Sequence, residues 1–234
     1  ENRRTGAVLH VGFSLGRNGE TVTLTAPGGT LADLAPPVEL RRDMSYGRPP
    51  ADGSWRYFPK PTPGAANTGA AYLEVLNQAP VFSAAGGFTS TAVTLTLTAP
   101  EPGTVVRYTL DGSEPRADSP VYTAPLTLTS RAGEANGLSL IEGTATTNQH
   151  TDGWKPPVGE VRKARLVRAG AFKEGAVPSP VMSHTYFIGA EARRTDGLAV
   201  MSLMTAPEGL FDYNTGIYML GKVFDDYVAA HPGE

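Results

Sequence analysis

The chain has 234 residues and no cysteine, which excludes disulfides, thiolate catalysis and cysteine-ligated zinc. Its 20 basic and 23 acidic residues give a formal net charge of −3, and they form no Lys/Arg cluster of the kind that binds nucleic acid. The 27 glycines and 20 prolines favour many short strands over long helices. No run of about 18 apolar residues is present, so no membrane span is predicted.

Alternating apolar and polar residues predict the first strands. These are expected over 8–13, 21–25, 30–34 and 37–41, with Asn18-Gly19 as a tight hairpin turn. Two further segments follow, Ser45-Tyr46-Gly47-Arg48 and the proline-rich run at 61–67. Together with 13–15 and 19–22, they resemble the lamin-tail domain found in bacterial proteins. The family's domain is longer, so we expect 1–67 to be a partial lamin-tail-like β domain. Its exposed strand edges favour self-association.

The middle of the chain has a clearer β pattern. Residues 68–79 are predicted to be a linker with a short helix at 70–76, and a strand is expected over 93–98. Residues 105–110 alternate strictly, Asp111-Gly112 is a turn signal, and a second short strand is expected near Val121-Tyr122. The sequence Thr-Leu-Thr-Ala-Pro occurs at 23–27 and again at 96–100, which we interpret as shared strand and turn chemistry and not as a repeat.

The stretch 105–122 resembles the signature of the domain at the C-terminus of chitobiases and β-hexosaminidases, an immunoglobulin-like accessory module. Further strands are expected over 125–128, 162–167 and 184–188. The second half of that module is matched by 161–169, Gly175, 178–180 and 183–188. The resemblance implies a non-catalytic β-sandwich over 80–190, with an insertion at 130–160.

The character of the sequence changes after residue 197. A buried strand is predicted over 198–204, and Thr205-Ala206-Pro207-Glu208 predicts a capping box that begins a short helix. Residues 214–218 are predicted to turn into another strand, and 223–230 to form an amphipathic helix. The whole order, ending in the segment 210–218, resembles secreted proteins of the spore-coat CotH kinase-like family. That resemblance implies that 191–234 is the truncated start of the kinase-like domain.

No catalytic, cofactor or metal site is predicted in this chain. The segment 216–222 lacks the final Ser or Thr of a P-loop, and the four histidines are widely separated. Asp111 and Ser113, with Glu114 and Asp118, offer oxygens to calcium, but their offsets suit an Asx turn better. The chain itself is therefore predicted not to be an enzyme.

Aromatic residues are the candidate ligand contacts. Trp55, Tyr57 and Tyr46 are candidates for stacking on sugar rings, although packing is the commoner role of such residues in sandwiches. Trp154 lies in the polar insertion, where it either pins the loop or contacts a partner.

The predicted fold is mainly β, with two immunoglobulin-like β-sandwich units, the first incomplete, and a short α/β C-terminal stub. The predicted function is a non-catalytic binding or scaffold region, extracellular or on a bacterial cell surface, that precedes a CotH-type kinase-like domain. Two alternatives are a carbohydrate-binding module for cell-wall glycans and the regulatory part of an atypical kinase whose phosphoryl transfer resides downstream. The expected partners are cell-wall or other glycans, or surface proteins.

Overall fold

The computed structural model describes residues 14–16, 18–141, 155–189 and 198–233. The chain divides into two compact units. The first contains residues 1–77 with 174–177, and the second contains 78–173 with 178–234. The strand predicted over 8–13 and the side chain of Trp154 lie outside the described residues.

The described residues are mainly β, which confirms the predicted fold class. None of their helices is long and apolar enough to cross a membrane. In chain order the strands are β1 (Val22–Thr25), β2 (Leu31–Ala35), β3 (Ser45–Gly47), β4 (Arg56–Phe58), β5 (Glu74–Val75), β6 (Val81–Phe82), β7 (Gly87–Thr89), β8 (Val93–Leu95), β9 (Leu97–Thr98), β10 (Val105–Thr109), β11 (Leu126–Leu128), β12 (Arg165–Phe172), β13 (Ala176–Val177) and β14 (Met182–Ile188). The helices are a 3₁₀-helix (Leu138–Leu140), α1 (Pro207–Phe211) and α2 (Gly221–Ala230).

The first unit contains three two-stranded sheets among its described residues. β1 pairs with β2 and β3 with β4 in antiparallel fashion, and β5 pairs with β13 in parallel. Buried apolar residues are few, whereas β1 and β2 expose much of their apolar surface. The buried ones are Phe58, Leu76, Ala176 and Val177.

Two predictions in this unit are wrong. The segment 70–76 is not a helix, because Tyr72 exchanges backbone hydrogen bonds with Tyr57 and β5 follows directly. Pairing with these partners overrides the helix propensity of its Ala, Leu and Glu residues. Residues 37–41 form no strand, since Pro36 and Pro37 provide no backbone donors for a ladder.

The second unit is built on a four-stranded sheet in the order β10-β12-β14-β7. The first two pairings are antiparallel, and β14 pairs with β7 in parallel. Two further antiparallel pairs, β8 with β11 and β6 with β9, contribute side chains to the same core. The core residues are Leu95, Leu97, Val106, Leu128, Val167, Ala169, Tyr186 and Ile188. This arrangement is consistent with an immunoglobulin-like sandwich.

The described residues after 197 form two helices and no strand. The predicted strand at 198–204 is wrong, and its Met201 and Leu203 side chains are exposed because no strand of the described chain pairs with the segment. The turn predicted at 214–218 is present, because the Asp212 carboxylate accepts hydrogen bonds from Asn214 and Thr215, but the strand predicted to follow it is wrong.

Both predicted C-terminal helices are confirmed as α1 and α2. The predicted capping box is wrong, however, since Ala206 is the N-cap of α1 and no side chain caps it.

Candidate functional site

The loop after β10 is held by a local hydrogen-bond network. The backbone N–H of Ser113 donates to Asp111 Oδ1 at 2.9 Å, and the Ser113 hydroxyl donates to the same atom at 2.6 Å. These two bonds lower the pKa of the Asp111 carboxyl. The predicted Asx turn is therefore confirmed, and it places Gly112 at the tip of the turn.

Gly112 allows the chain that follows the sandwich to approach closely. Its φ of +92° is one that other residues rarely adopt, and a Cβ atom there would lie 2.3 Å from the Thr205 carbonyl oxygen. The Gly112 carbonyl in turn accepts a hydrogen bond of 2.8 Å from Arg168 Nη1 on β12. The turn is thus tied to the sheet on one side and touches Thr205 on the other.

A second contact attaches the same segment to β14. The hydroxyls of Thr185 and Ser202 share a hydrogen bond of 2.6 Å. Thr185 is a buried residue of the four-stranded sheet. We call residues 198–206 the connector, because they join the sandwich to α1. The connector is held at two points, Ser202 and Thr205.

The described titratable residues form no group of three or more that suits a metal ion. His184, the residue before Thr185 on β14, accepts a hydrogen bond of 3.2 Å at Nδ1 from the backbone N–H of Gly86 and packs edge-on against Phe82. Its ring therefore supports the sheet.

The first unit carries a face of aromatic rings on the β3–β4 hairpin. Tyr46 lies directly opposite Tyr57 in the strand register, with ring centroids 4.7 Å apart. Tyr46 also stacks on Trp55 at 5.2 Å with an interplanar angle of 13°, and the Arg48 guanidinium lies 4.5 Å over the Trp55 ring. We call Tyr46, Arg48, Trp55 and Tyr57 the aromatic face.

Polar contacts fix Arg48 at the edge of the aromatic face. Its guanidinium forms an ion pair with Asp33 and lowers the pKa of that carboxyl. The Asn67 side chain donates to the Arg48 carbonyl at 3.0 Å, and a Cβ at Gly47 would lie 2.7 Å from Asn67 Nδ2. The segments 45–48 and 61–67 therefore meet in space, and glycine at 47 makes room for this.

The structure thus brings together three of the four aromatic residues that the sequence suggests as ligand contacts. Trp55 and Tyr57 are half-buried members of the aromatic face, whereas Trp154 lies outside the described residues. Sequence reasoning missed Arg48 as a partner of Trp55. Its position in the Ser-Tyr-Gly-Arg segment, two residues after Tyr46, was the available signal because alternate residues share one face of a strand.

Comparison with known protein families gave a match that covers less than half of the chain. Residues 95–186 match the family model described as Fn3 associated. The match runs from the end of β8 into β14, and it supports an immunoglobulin-like or Fn3-type domain in this region. No curated protein and no solved structure matches the chain. The resemblance to the CotH family stays a prediction.

Proposed function

We propose that this chain is a non-catalytic scaffold region of an extracellular or cell-surface protein, and that its immunoglobulin-like domain holds the segment leading to a following domain. The observation that carries the proposal is the two-point attachment of the connector. Ser202 is bonded to Thr185, and Thr205 packs against Gly112. The Fn3-associated match also supports it, because that domain is typical of extracellular or surface proteins.

The family resemblance extends this proposal to the whole protein. The organisation would be a partial lamin-tail-like domain at 1–67, a linker at 68–79, the sandwich at 80–190 and the start of a CotH kinase-like domain at 191–234. Any phosphoryl transfer would then belong to the downstream domain, with this chain as its non-enzymatic support on a bacterial surface.

The experiment compares two glycine substitutions. Gly112→Ala introduces a Cβ both at positive φ and against Thr205, whereas Gly103→Ala introduces it at a φ of +72° with no atom within 4 Å. Backbone order parameters of the connector, measured by ¹⁵N relaxation, are expected to be about 0.85 in the wild type. They should fall below about 0.6 in Gly112→Ala and stay unchanged in Gly103→Ala.

Two results would count against the scaffold proposal. A connector with order parameters below about 0.6 in the wild type would show that the sandwich does not hold it. Equal changes of the connector's order parameters in Gly112→Ala and Gly103→Ala would show that the contact between Gly112 and Thr205 does not order the connector.

We propose carbohydrate binding as a second function, on the basis of the aromatic face. Rings on one strand face, beside the polar Arg48–Asp33 pair, offer both stacking and hydrogen bonding to a sugar. Trp55 is already engaged by Tyr46 and Arg48. A sugar would therefore meet the exposed edge of the face and not a bare indole plane.

An array of cell-wall and other glycans tests this second function. Trp55→Ala and Tyr57→Ala are expected to lose binding, while Tyr218→Ala, an exposed tyrosine of the second unit, is the matched control. If Trp154→Ala is the one variant that loses glycan binding, the binding site lies in the insertion and not on the aromatic face. If the wild type binds none of the glycans, carbohydrate binding is refuted and the scaffold function is the one that remains.

A further inference from the structure

A large cavity lies in the second unit beside the start of β12. Its volume is about 820 Å³, within the range of about 300–1,000 Å³ that small-molecule sites occupy. The wall combines the segment around the 3₁₀-helix, residues 161–166 and the side of β14. Most of the wall is apolar, with Leu128, Leu138, Ile141, Val161, Leu166 and Phe187 as its principal apolar residues. Leu138 is 51% exposed, so apolar surface is also present at the rim.

The cavity wall also carries more positive than negative charge. Arg131 and Arg165 lie in the wall and share one carboxylate, that of Glu134. These two guanidiniums, Arg131 first, hold the pKa of Glu134 below its ordinary value, so it remains ionised. Because one carboxylate serves two guanidiniums, this cluster keeps a net positive charge.

Three further charged residues line the cavity. Lys163 pairs with Glu160 at 3.3 Å, and Asp111 is engaged in its Asx turn with Ser113. Arg162 is exposed and forms no ion pair within the described parts of the chain. Among the described residues, Glu134, Glu160 and Asp111 balance three of the four lining cations, and Arg162 is left without an acidic partner.

An unpaired hydroxyl in the same wall also favours a polar ligand group. Ser139 Oγ is buried and has no hydrogen-bond partner among the residues that the structure describes. A buried hydroxyl without a partner is costly, and native structures usually satisfy such groups with protein, water or ligand. Because Ser139 Oγ is shielded from solvent, its side chain must rotate toward the cavity before it can donate to an acceptor oxygen of a ligand there.

We propose that this cavity binds a small amphipathic carboxylate, with its apolar chain against the leucine and valine side chains and its carboxylate near Ser139 and Arg162. The binding is non-covalent, and it adds a ligand to a domain proposed above only as a scaffold. Thr185 and Ser202, which attach the connector, also line the cavity, but the cavity variants below leave both residues unchanged, so failure of this proposal is distinguishable from failure of the scaffold function.

Calorimetric titration of the full chain with dodecanoate, and with the uncharged dodecanol, tests the proposal. We expect saturable one-to-one binding of dodecanoate, weakened about two- to fivefold by Arg162→Gln, as an exposed ion pair predicts. Dodecanol affinity should not change in that variant. Arg42→Gln, an exposed arginine of the first unit, is the matched control and should change neither affinity.

Two wall substitutions separate the cavity from the rest of the surface. Ala135 is an exposed lining residue, so Ala135→Trp should block the cavity and weaken both ligands by at least about tenfold. Leu138→Asp, at the exposed rim, should weaken dodecanoate more than dodecanol, and it provides a second variant if Ala135→Trp fails to fold. Ser139→Ala should weaken dodecanoate more than dodecanol, because a carboxylate accepts a stronger hydrogen bond than an alcohol oxygen does.

Several results would overturn the proposal. If the wild type shows no saturable binding of dodecanoate, the proposal that the cavity binds an amphipathic carboxylate is refuted. Unchanged affinity in a folded Ala135→Trp variant, or in Leu138→Asp, would move binding away from the cavity. Equal affinity for dodecanoate and dodecanol would refute the role given to Arg162 and Ser139.

Discussion

The same five residues, Thr-Leu-Thr-Ala-Pro, occur once in each unit, and the two copies have opposite environments. Leu24 in β1 is 65% exposed, whereas Leu97 in β9 is 5% exposed. Both leucines lie in short strands with identical neighbours, so local sequence does not account for the difference. Leu97 belongs to the eight-residue core of the second unit, whereas β1 pairs only with β2. Burial therefore depends on the layer that a strand packs against.

This difference extends to the two units as a whole. The second unit has a four-stranded sheet that shares a core with two smaller strand pairs. The described part of the first unit has only two-stranded sheets, and such sheets are marginal on their own. We therefore expect substitutions to act mainly on stability in the second unit and on intermolecular contacts in the first.

The largest expected effect is a difference in stability loss between Leu97 and Leu24, the leucines at the same position in the two copies of the five residues. Leu97→Ala should lower the free energy of unfolding by about 2–5 kcal/mol, because it removes a buried side chain from a packed core. Leu24→Ala, the same change in the same five residues, should stay within about 0.5 kcal/mol. Urea denaturation followed by circular dichroism measures both. Similar losses for the two variants would contradict the comparison.

The exposed apolar residues of β1 and β2 provide the next test. Leu24 and Leu31 are 65% and 55% exposed, and both strands have an open hydrogen-bonding edge within the described chain. The self-association predicted from the sequence should then be weakened at least about tenfold by Leu24→Lys. Sedimentation velocity measures it, with Leu203→Lys in the second unit as the control. A wild type that remains monomeric at all concentrations would refute this prediction.

A smaller effect is expected from the buried tyrosine of the core. Tyr186 donates a hydrogen bond of 2.8 Å to the Ala84 carbonyl, and burial raises its pKa from 10.0 to about 12. The folded state therefore favours the protonated phenol, and the stability that it contributes below pH 10.0 is lost as the pH rises toward 12.

Tyr186→Phe tests that sign. The variant should lose about 1 kcal/mol below pH 10.0 and show a shallower alkaline loss than the wild type. Tyr108→Phe, half-buried beside the same core, is the control. Denaturation curves recorded across the alkaline range decide the matter, and parallel pH profiles for wild type and Tyr186→Phe would show that the phenol does not titrate as described.

The smallest expected effect concerns the turn that supports the connector. Hydrogen bonds from Ser113 lower the pKa of Asp111 below its ordinary 3.8, so the stability that its carboxylate contributes is present above that pH and is lost as the pH falls below it. Asp111→Asn retains an acceptor oxygen but no longer titrates. Its acid denaturation profile should therefore be slightly flatter than that of the wild type. Asp118→Asn is the control, and an equal flattening in that variant would contradict the assignment.

Features governed by near neighbours were predictable from the sequence. The alternation that ends at Asp111-Gly112 predicted β10 and its Asx turn, because a side chain that bonds two residues ahead needs no distant partner. The apolar spacing of residues 223–230 likewise predicted α2. Residue type alone suggested Trp55 and Tyr57. The β3–β4 register then placed Tyr57 opposite Tyr46, and Trp55 stacks on the ring of Tyr46.

Tertiary structure alone decided the features that need distant partners. The segment 70–76 has helix-forming residues but is extended, because Tyr57 and β13 offer it backbone hydrogen bonds. The apolar run at 198–204 is exposed because it has no paired strand in the described chain. The Arg48–Asp33 ion pair and the cavity beside β12 are likewise formed by residues that are distant in sequence. Sequence patterns thus determined which strands and turns can form. The partner that each strand meets decided what is buried, because burial is a property of two packed surfaces and not of one segment.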